Sequence, residues 1–245
     1  MKILLLDIET SPNTAHVWGL WQQNVSLNQL MESSYVMCWA AKWLGKKEVM
    51  FDSVYESKPK VMIKRIHELL DEADTVIHYN GSKFDIPTLN KEFLLHGMTP
   101  PSPVKEIDLL RTARQRFKFP SNKLDYVAQA LGVGEKVKHI GHELWVRCMN
   151  NDPEAWAMMK KYNKHDVVIL EHVYNKMLGW IKNHANHNAF TDRTVCPNCG
   201  SSKLHSKGYA VTLTRRYKRF QCQDCGSYSK TVQSEKSHKE SLVNI

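Results

Sequence analysis

The chain has 245 residues, 42% of them hydrophobic and 24% charged, with 11 Gly and 9 Pro. Such a chain can bury a core, which excludes wholesale disorder and a collagen-like repeat. No apolar run approaches the roughly 18 residues of a membrane span, and Asp7 ends Leu4-Leu5-Leu6 too early for a signal-peptide core. The expectation is a soluble, unexported, cytoplasmic protein. Its 34 Lys and Arg against 25 Asp and Glu give a formal charge of +9, which favours a polyanionic partner. Residues 1–188 carry 24 basic and 21 acidic side chains, whereas residues 189–245 carry 10 and 4, so an anion would be gripped in the last quarter. Six cysteines are too few for a disulfide scaffold of this length. A reducing compartment is expected, with Cys38 and Cys148 as small apolar fillers.

In chain order, Lys2–Asp7 is an aliphatic run ending in an acid and stopped by the turn Ser11-Pro12-Asn13, the pattern of a strand. Tyr35–Leu44 and Glu48–Asp52 read as further strands. Pro59–Ala73 reads as a helix with Val61, Ile63, Ile66, Leu69 and Leu70 on its apolar stripe. Thr75–Tyr79 and Val104–Leu109 suit strands, while Phe84–His96 and Asn122–Leu131 suit helices. Gly132–Trp145 reads as a loop. Asp152 and Pro153 then supply an N-cap and first position for a long helix to Trp180. Strands alternating with helices predict an α/β domain. Its expected span is 1–182, followed by a polar linker at 183–194, a small module at 195–233 and a polar tail at 234–245.

Asp7-Ile8-Glu9 closes the first strand, and residues two apart on a strand share a face. Two carboxylates aimed together repel, and a hard divalent cation compensates them. Asn80-Gly81-Ser82-Lys83-Phe84-Asp85 follows another strand and places Asp85 in the first turn of a helix, where an acid is also favoured by the helix dipole. Tyr162 and Asp166 lie four apart on the final helix, hence on one face.

In this order, Asp-Ile-Glu-Thr, Asn-x-x-x-Phe-Asp and Tyr-x-x-x-Asp resemble the three motifs of the DEDD 3′→5′ exonucleases, a superfamily with a ribonuclease-H-like fold. The last motif matches the tyrosine branch, because the histidine branch needs His where Lys161 stands. The motifs are also similar to those of the proofreading domain of family B DNA polymerases, over roughly residues 1–182, as is the stretch from Asn122 to Lys136. Nothing after Trp180 is long enough to hold a polymerase. The resemblance implies a mixed sheet flanked by helices and two Mg²⁺ or Mn²⁺ ions. Asp7 would bridge both ions, Glu9 and Asp166 would help hold the one that activates water, and Asp85 would support the one facing the leaving group. It further implies that Tyr162, whose phenol is protonated at neutral pH, orients the water. Thr10, Asn80 and Phe84 would contact the terminal nucleotide, although Phe84 also fits a core position. Asp108 reads as a helix cap or solvated acid, His165 faces away from Asp166, and Lys136, Lys138 and His139 read as a solvated loop.

Cys196-Pro197-Asn198-Cys199-Gly200 and Cys222-Gln223-Asp224-Cys225-Gly226 are two Cys-x-x-Cys-Gly knuckles. Four thiolates satisfy one tetrahedral Zn²⁺ and leave no open position for chemistry. A module this small needs such a staple to fold. Between the knuckles, Lys207–Thr214 and Arg215–Gln221 alternate as a hairpin. It resembles the zinc ribbons of nucleic-acid-processing proteins, in which Arg215, Arg216, Lys218 and Arg219 would pair with phosphates and Tyr217 or Phe220 would stack on bases.

These features together predict a metal-dependent 3′→5′ exonuclease acting on DNA, with a separate polymerase or repair complex as a partner and no membrane attachment. The same carboxylates also fit an exoribonuclease or a structure-specific endonuclease, and the fold alone fits a non-catalytic nucleic-acid-binding adaptor.

Overall fold

A computed structural model describes residues 1–237, 242 and 243. The chain divides into two compact units, Lys2–Val173 and Tyr174–Ile245 with Met1.

The first unit opens with β1 (Ile3–Thr10), the short pair β2 (Thr14–Ala15) and β3 (Leu30–Glu32), then β4 (Val36–Trp43) and β5 (Met50–Ser53). Helix α1 (Pro59–Glu72), β6 (Thr75–His78), α2 (Asp85–Leu95) and β7 (Lys105–Asp108) come next. Then come α3 (Leu109–Arg116), α4 (Leu124–Ala130), α5 (His142–Met149) and the long α6 (Pro153–Met177). Five strands form a mixed sheet in the order β5-β4-β1-β6-β7. β1 is antiparallel to β4 and parallel to β6, and β6 is parallel to β7. This is the expected ribonuclease-H-like α/β architecture.

Alternation along β1 decides what each face sees. Leu4, Leu6 and Ile8 are buried in one cluster with Met62, Ile63, Ile66 and Leu70 of α1 and Leu89 and Phe93 of α2. Asp7 and Glu9 therefore face the other side of the sheet. The buried stripe of α1 runs through Met62 rather than Val61, which is exposed, because positions 62, 66 and 70 repeat at one helical turn. Helix α6 begins as its sequence predicts, with the Asp152 carboxylate accepting from the N–H of Glu154 at 2.9 Å.

Two short helices depart from the sequence reading. Asp108, the expected cap, accepts from the N–H of Leu110 at 2.9 Å and starts α3, whose apolar positions are too few to announce it. Helix α5 occupies the end of the segment read as loop, burying Leu144 and Cys148. Cys38 and Cys148 are buried free thiols among Met37, Trp156 and Met159, the filler role expected of them.

The second unit starts inside α6 rather than at 183, because the chain around the helix end is already tied to residues beyond it. The Tyr174 hydroxyl meets His184 Nε2 at 2.7 Å, and the Asn198 amide donates to the carbonyls of Leu178 and Ile181, each at 2.8 Å. The expected linker contains a 3-10 turn at His187–Phe190. Beyond it, β8 (Leu204–Val211) and β9 (Arg215–Cys222) form the expected hairpin. β9 also pairs with β10 (Tyr228–Lys230) and β11 (Lys236–Ser237), so the start of the expected polar tail joins the sheet. Residues 238–241, 244 and 245 of that tail lie outside the described residues.

Candidate active site

Asp7 and Glu9 lie in the second half of β1, toward the carboxyl end of a sheet strand, where open α/β sheets place their ligand sites. The β1–β4 register shifts between Glu9 and Thr10, a local irregularity of the kind that re-aims side chains beside sites. Across the sheet face, Tyr162, Asn163 and Asp166 are buried on α6. Polar groups on a buried stripe must find partners, and these do. The Asn163 amide donates to Asp7 Oδ2 at 2.7 Å. Carboxylate oxygens of Asp7, Glu9 and Asp166 lie within 4.8 Å of one another.

Asp85 stands outside that tight trio but is joined to it. Its Oδ1 accepts the N–H of Ile8, the residue between Asp7 and Glu9, at 3.1 Å. The turn that delivers Asp85 is held by a buried histidine the motif does not reveal. His78 Nδ1 accepts the Gly81 N–H at 3.1 Å, which leaves Nε2 to donate to Glu106 at 3.2 Å, and Ser82 Oγ donates to the same carboxylate at 2.9 Å. A Cβ on Gly81 would come within 2.4 Å of the His78 ring, so only glycine fits there.

Lys136 corrects the solvated-loop reading. Its backbone N–H donates to Asp125 at 2.8 Å, and the Glu135 carbonyl next to it meets His165 Nε2 at 2.9 Å. Pinned on both sides, the loop delivers the Lys136 ammonium to Asp166 and to the Tyr162 hydroxyl, the latter at 3.0 Å. His139 is also drawn in, packing edge-on to Tyr162 and Trp145 with ring centres 4.8 and 5.2 Å away. Trp145 in turn hydrogen-bonds Glu9. Lys138 remains exposed, as expected.

The electrostatics follow from enclosure and like charge. Burial pushes the Asp7 carboxyl well above its usual range, and Glu9, Asp85 and Asp166 push it further. Burial raises Glu9 to about 8 and Asp85 to about 6, with Lys136 offsetting part of the rise at Glu9 and the Ile8 N–H part of it at Asp85. Asp166 is raised by burial, against the pull of Lys136. Burial also raises the Tyr162 phenol, as do Asp166 and Glu9, so its hydroxyl keeps its proton and donates to Asp166. Among the described residues, Asp166 Oδ1 is buried with no hydrogen-bond partner. An all-oxygen cluster with a bare buried carboxylate oxygen fits a hard divalent cation.

This cluster makes stability depend on pH. Each raised carboxyl binds its proton more tightly folded than unfolded, so stability without metal is full below the unfolded values near pH 4. It declines as pH rises through about 6 for Asp85 and about 8 for Glu9. Thermal denaturation at a fixed Mn²⁺ concentration should therefore show little Tm gain at about pH 5 and a gain of several degrees at about pH 8. A gain independent of pH would contradict this assignment.

Of the four carboxylates, Asp7 lines a cleft of about 560 Å³, together with Asn80, Lys136, Arg114 and Lys123. Arg114 escapes the sequence reading because α3 carries no motif, and Lys123, inside the stretch that resembles proofreading domains, has no catalytic residue beside it in sequence to single it out. Of the residues expected to meet a terminal nucleotide, Asn80 lines this cleft in a left-handed conformation (φ 71°). Thr10 is half-buried at the end of β1. Phe84 is 43% exposed, so the core reading fails: the turn before α2 holds it clear of the cluster that buries Leu89 and Phe93.

In the second unit, the sulfurs of Cys196, Cys199, Cys222 and Cys225 lie within 4.8 Å of one another, with 3.6 Å separating Cys196 from Cys225 and Cys199 from Cys222. Tetrahedral Zn–S bonds of about 2.3 Å set sulfurs roughly 3.8 Å apart, so this group fits zinc. Gly200 and Gly226 take positive φ after each pair (74° and 75°), as the tight knuckles require. On β9, Arg215, Tyr217 and Arg219 share one face, and Arg216 and Lys218 the other. Lys218 pairs with Glu235 at 3.2 Å, which offsets charge on its face. On the opposite face Lys230 lies 4.0 Å over the Tyr217 ring and Arg219 lies 5.8 Å from that of Tyr228. Tyr217 thus presents a cation rather than a bare ring, and Phe220 is half-buried.

Comparison with known proteins bears on the first unit. A model of the RNase_H superfamily matches residues 4–178. No curated protein matches the chain. Among solved structures, the family B DNA polymerase from the hyperthermophilic archaeon Pyrobaculum calidifontis is similar to this chain with a TM-score of 0.54 and 20% identity. The match covers 73% of this chain and only 24% of that polymerase, so the likeness is one of fold. No helix among the described residues is long and apolar enough to cross a membrane. The family match runs from β1 through α6 and includes Asp7, Glu9, Asp85, Tyr162 and Asp166: the chain belongs to the RNase_H superfamily.

Proposed function

We propose that this protein is a metal-dependent nuclease of the DEDD tyrosine branch that removes nucleotides from the 3′ end of DNA. The observation that carries the reading is the convergence of Asp7, Glu9 and Asp166 within 4.8 Å, with Asp85 bonded to the same strand. Mg²⁺ or Mn²⁺ would be held by Asp7, Glu9, Asp85 and Asp166. Divalent cations so bound neutralise charge on the attacking and departing oxygens of a phosphodiester.

The protein's own groups do the rest. Asn163 fixes the Asp7 carboxylate, and the Trp145 indole does the same for Glu9. Tyr162, kept protonated, orients a water by hydrogen bonding and leaves proton abstraction to others. Lys136 supplies a fixed positive charge beside the scissile phosphate. Arg114 and Lys123 draw the backbone into the cleft, where Asn80, Thr10 and the exposed ring of Phe84 meet the terminal nucleotide. The second unit, a zinc ribbon in this reading, assists nucleic-acid binding by pairing with phosphates. Arg215 and Arg219, with Lys230, do most of this, and Arg216 and Lys218 less because Glu235 faces them. DNA is favoured because the motifs resemble polymerase proofreading domains, and a separate polymerase or repair complex would supply the 3′ ends.

The test is an end-labelled panel of matched DNA and RNA strands, with free and blocked 3′ ends, assayed with Mg²⁺ or Mn²⁺. Mononucleotides should leave the free 3′ end of DNA. Internal cuts in end-blocked strands would make the enzyme an endonuclease, and faster loss of RNA would change the substrate. Inactivity with both metals would leave only a binding platform.

A further inference from the structure

Between β2 and β3, a loop exposes apolar side chains that contribute nothing to the fold. Trp18 is 100% exposed, Leu20 87%, Trp21 85% and Leu27 86%. Single exposed apolar residues are ordinary, but two bare indoles and two leucines within ten positions need a partner. Disorder of the stem does not explain them. Ser11 and Tyr35 exchange hydrogen bonds of 2.9 and 3.0 Å, and Ser34 N donates to Asn13 at 2.7 Å. His16 and Gln29 are joined twice, each bond 2.9 Å, and Ser26 and Gln29 cap each other. A closed stem thus presents an apolar tip.

Two observations decide what covers it. The stem leaves β1 immediately after Asp7 and Glu9, so its base adjoins the carboxylates that would receive a strand terminus and the tip stands on the same connection. Residues 17–31 contain no Asp, Glu, Lys or Arg, so nothing repels a polyanion and nothing selects a charged protein surface. Indoles stack on any unpaired base, whereas paired bases hide their faces in the helix.

We propose that Trp18 and Trp21 form a stacking platform for the unpaired bases of a nucleic-acid strand whose end lies in the carboxylate cleft. This rests on the nuclease reading and specifies its substrate as single-stranded near the cleaved end. Gln22, Gln23 and Asn24, exposed beside the indoles, offer hydrogen bonds to base edges without charge.

The test measures affinity by fluorescence anisotropy with an unpaired oligonucleotide and a blunt duplex, in full-length protein carrying Asp7→Asn to prevent cleavage. Trp18→Ala and Trp21→Ala should each weaken binding of the unpaired strand about tenfold. Duplex affinity, the salt dependence and Tm should be unchanged, and Phe at either position should restore part of the loss. Unchanged affinity for the unpaired strand, or an equal loss for the duplex, would overturn the proposal. So would a self-association in sedimentation that the double variant abolishes, since the occupant would then be a second copy. Failure of the nuclease reading shows separately, as absence of cleavage by the unaltered protein with Mg²⁺ or Mn²⁺.

Discussion

Asp7→Asn should lower the cleavage rate by roughly 10³-fold or more while raising the stability of the metal-free protein. The two effects have one cause. Asp7 is surrounded by Glu9, Asp85 and Asp166, and its carboxyl is pushed well above the usual range by burial and these neighbours. An amide removes a charge from that cluster yet can still accept from Asn163, which reaches Oδ2 at 2.7 Å. Relief of repulsion stabilises, and loss of a shared cation ligand removes the chemistry. Opposite signs mark a group kept for function at the expense of stability. Rates at saturating Mg²⁺ and Tm without it measure both; a variant that loses activity and stability together would make Asp7 a structural residue.

The second large effect concerns the four cysteines. Replacing Cys222 by Ser should dissolve the sheet of the second unit while leaving residues 2–173 folded. The unit's strands are mostly exposed on both faces, so little apolar surface holds them: β8 and β9 together bury only Cys222. Structural zinc contributes about 10–16 kcal/mol to such modules, far more than the small core can replace. Backbone NMR should show collapse of amide dispersion for residues 195–230 alone, and elemental analysis one zinc per unaltered chain. Retention of the β8–β9 register in the variant would show that the hairpin needs no metal.

What the sequence discloses about this site depends on whether the cause is local. Asp7 and Glu9 share a face because a strand alternates, and Tyr162 and Asp166 share one because a helix turns, so both pairs are legible without coordinates. The cysteine knuckles are legible for the same reason. Lys136 is not: its ammonium reaches Asp166 only because Asp125 and His165 hold its loop, contacts made across 11 and 30 residues. Asn163 lies inside the motif, yet its role depends on Asp7, 156 residues away. Phe84 misleads in the other direction, since an aromatic at the start of a helix suits a core unless the preceding turn lifts it out. His78 is hidden because Glu106, which its Nε2 meets at 3.2 Å, comes alongside only when β6 and β7 pair.

The most direct measurement is anomalous diffraction from crystals of the whole protein grown with Mn²⁺. Two manganese peaks roughly 3.5–4 Å apart, ligated by Asp7, Glu9, Asp85 and Asp166 and absent from Asp7→Asn crystals, are the expected result. Carboxylates without manganese at saturating concentration, or ions bound elsewhere on the chain, would contradict a metal-dependent nuclease site.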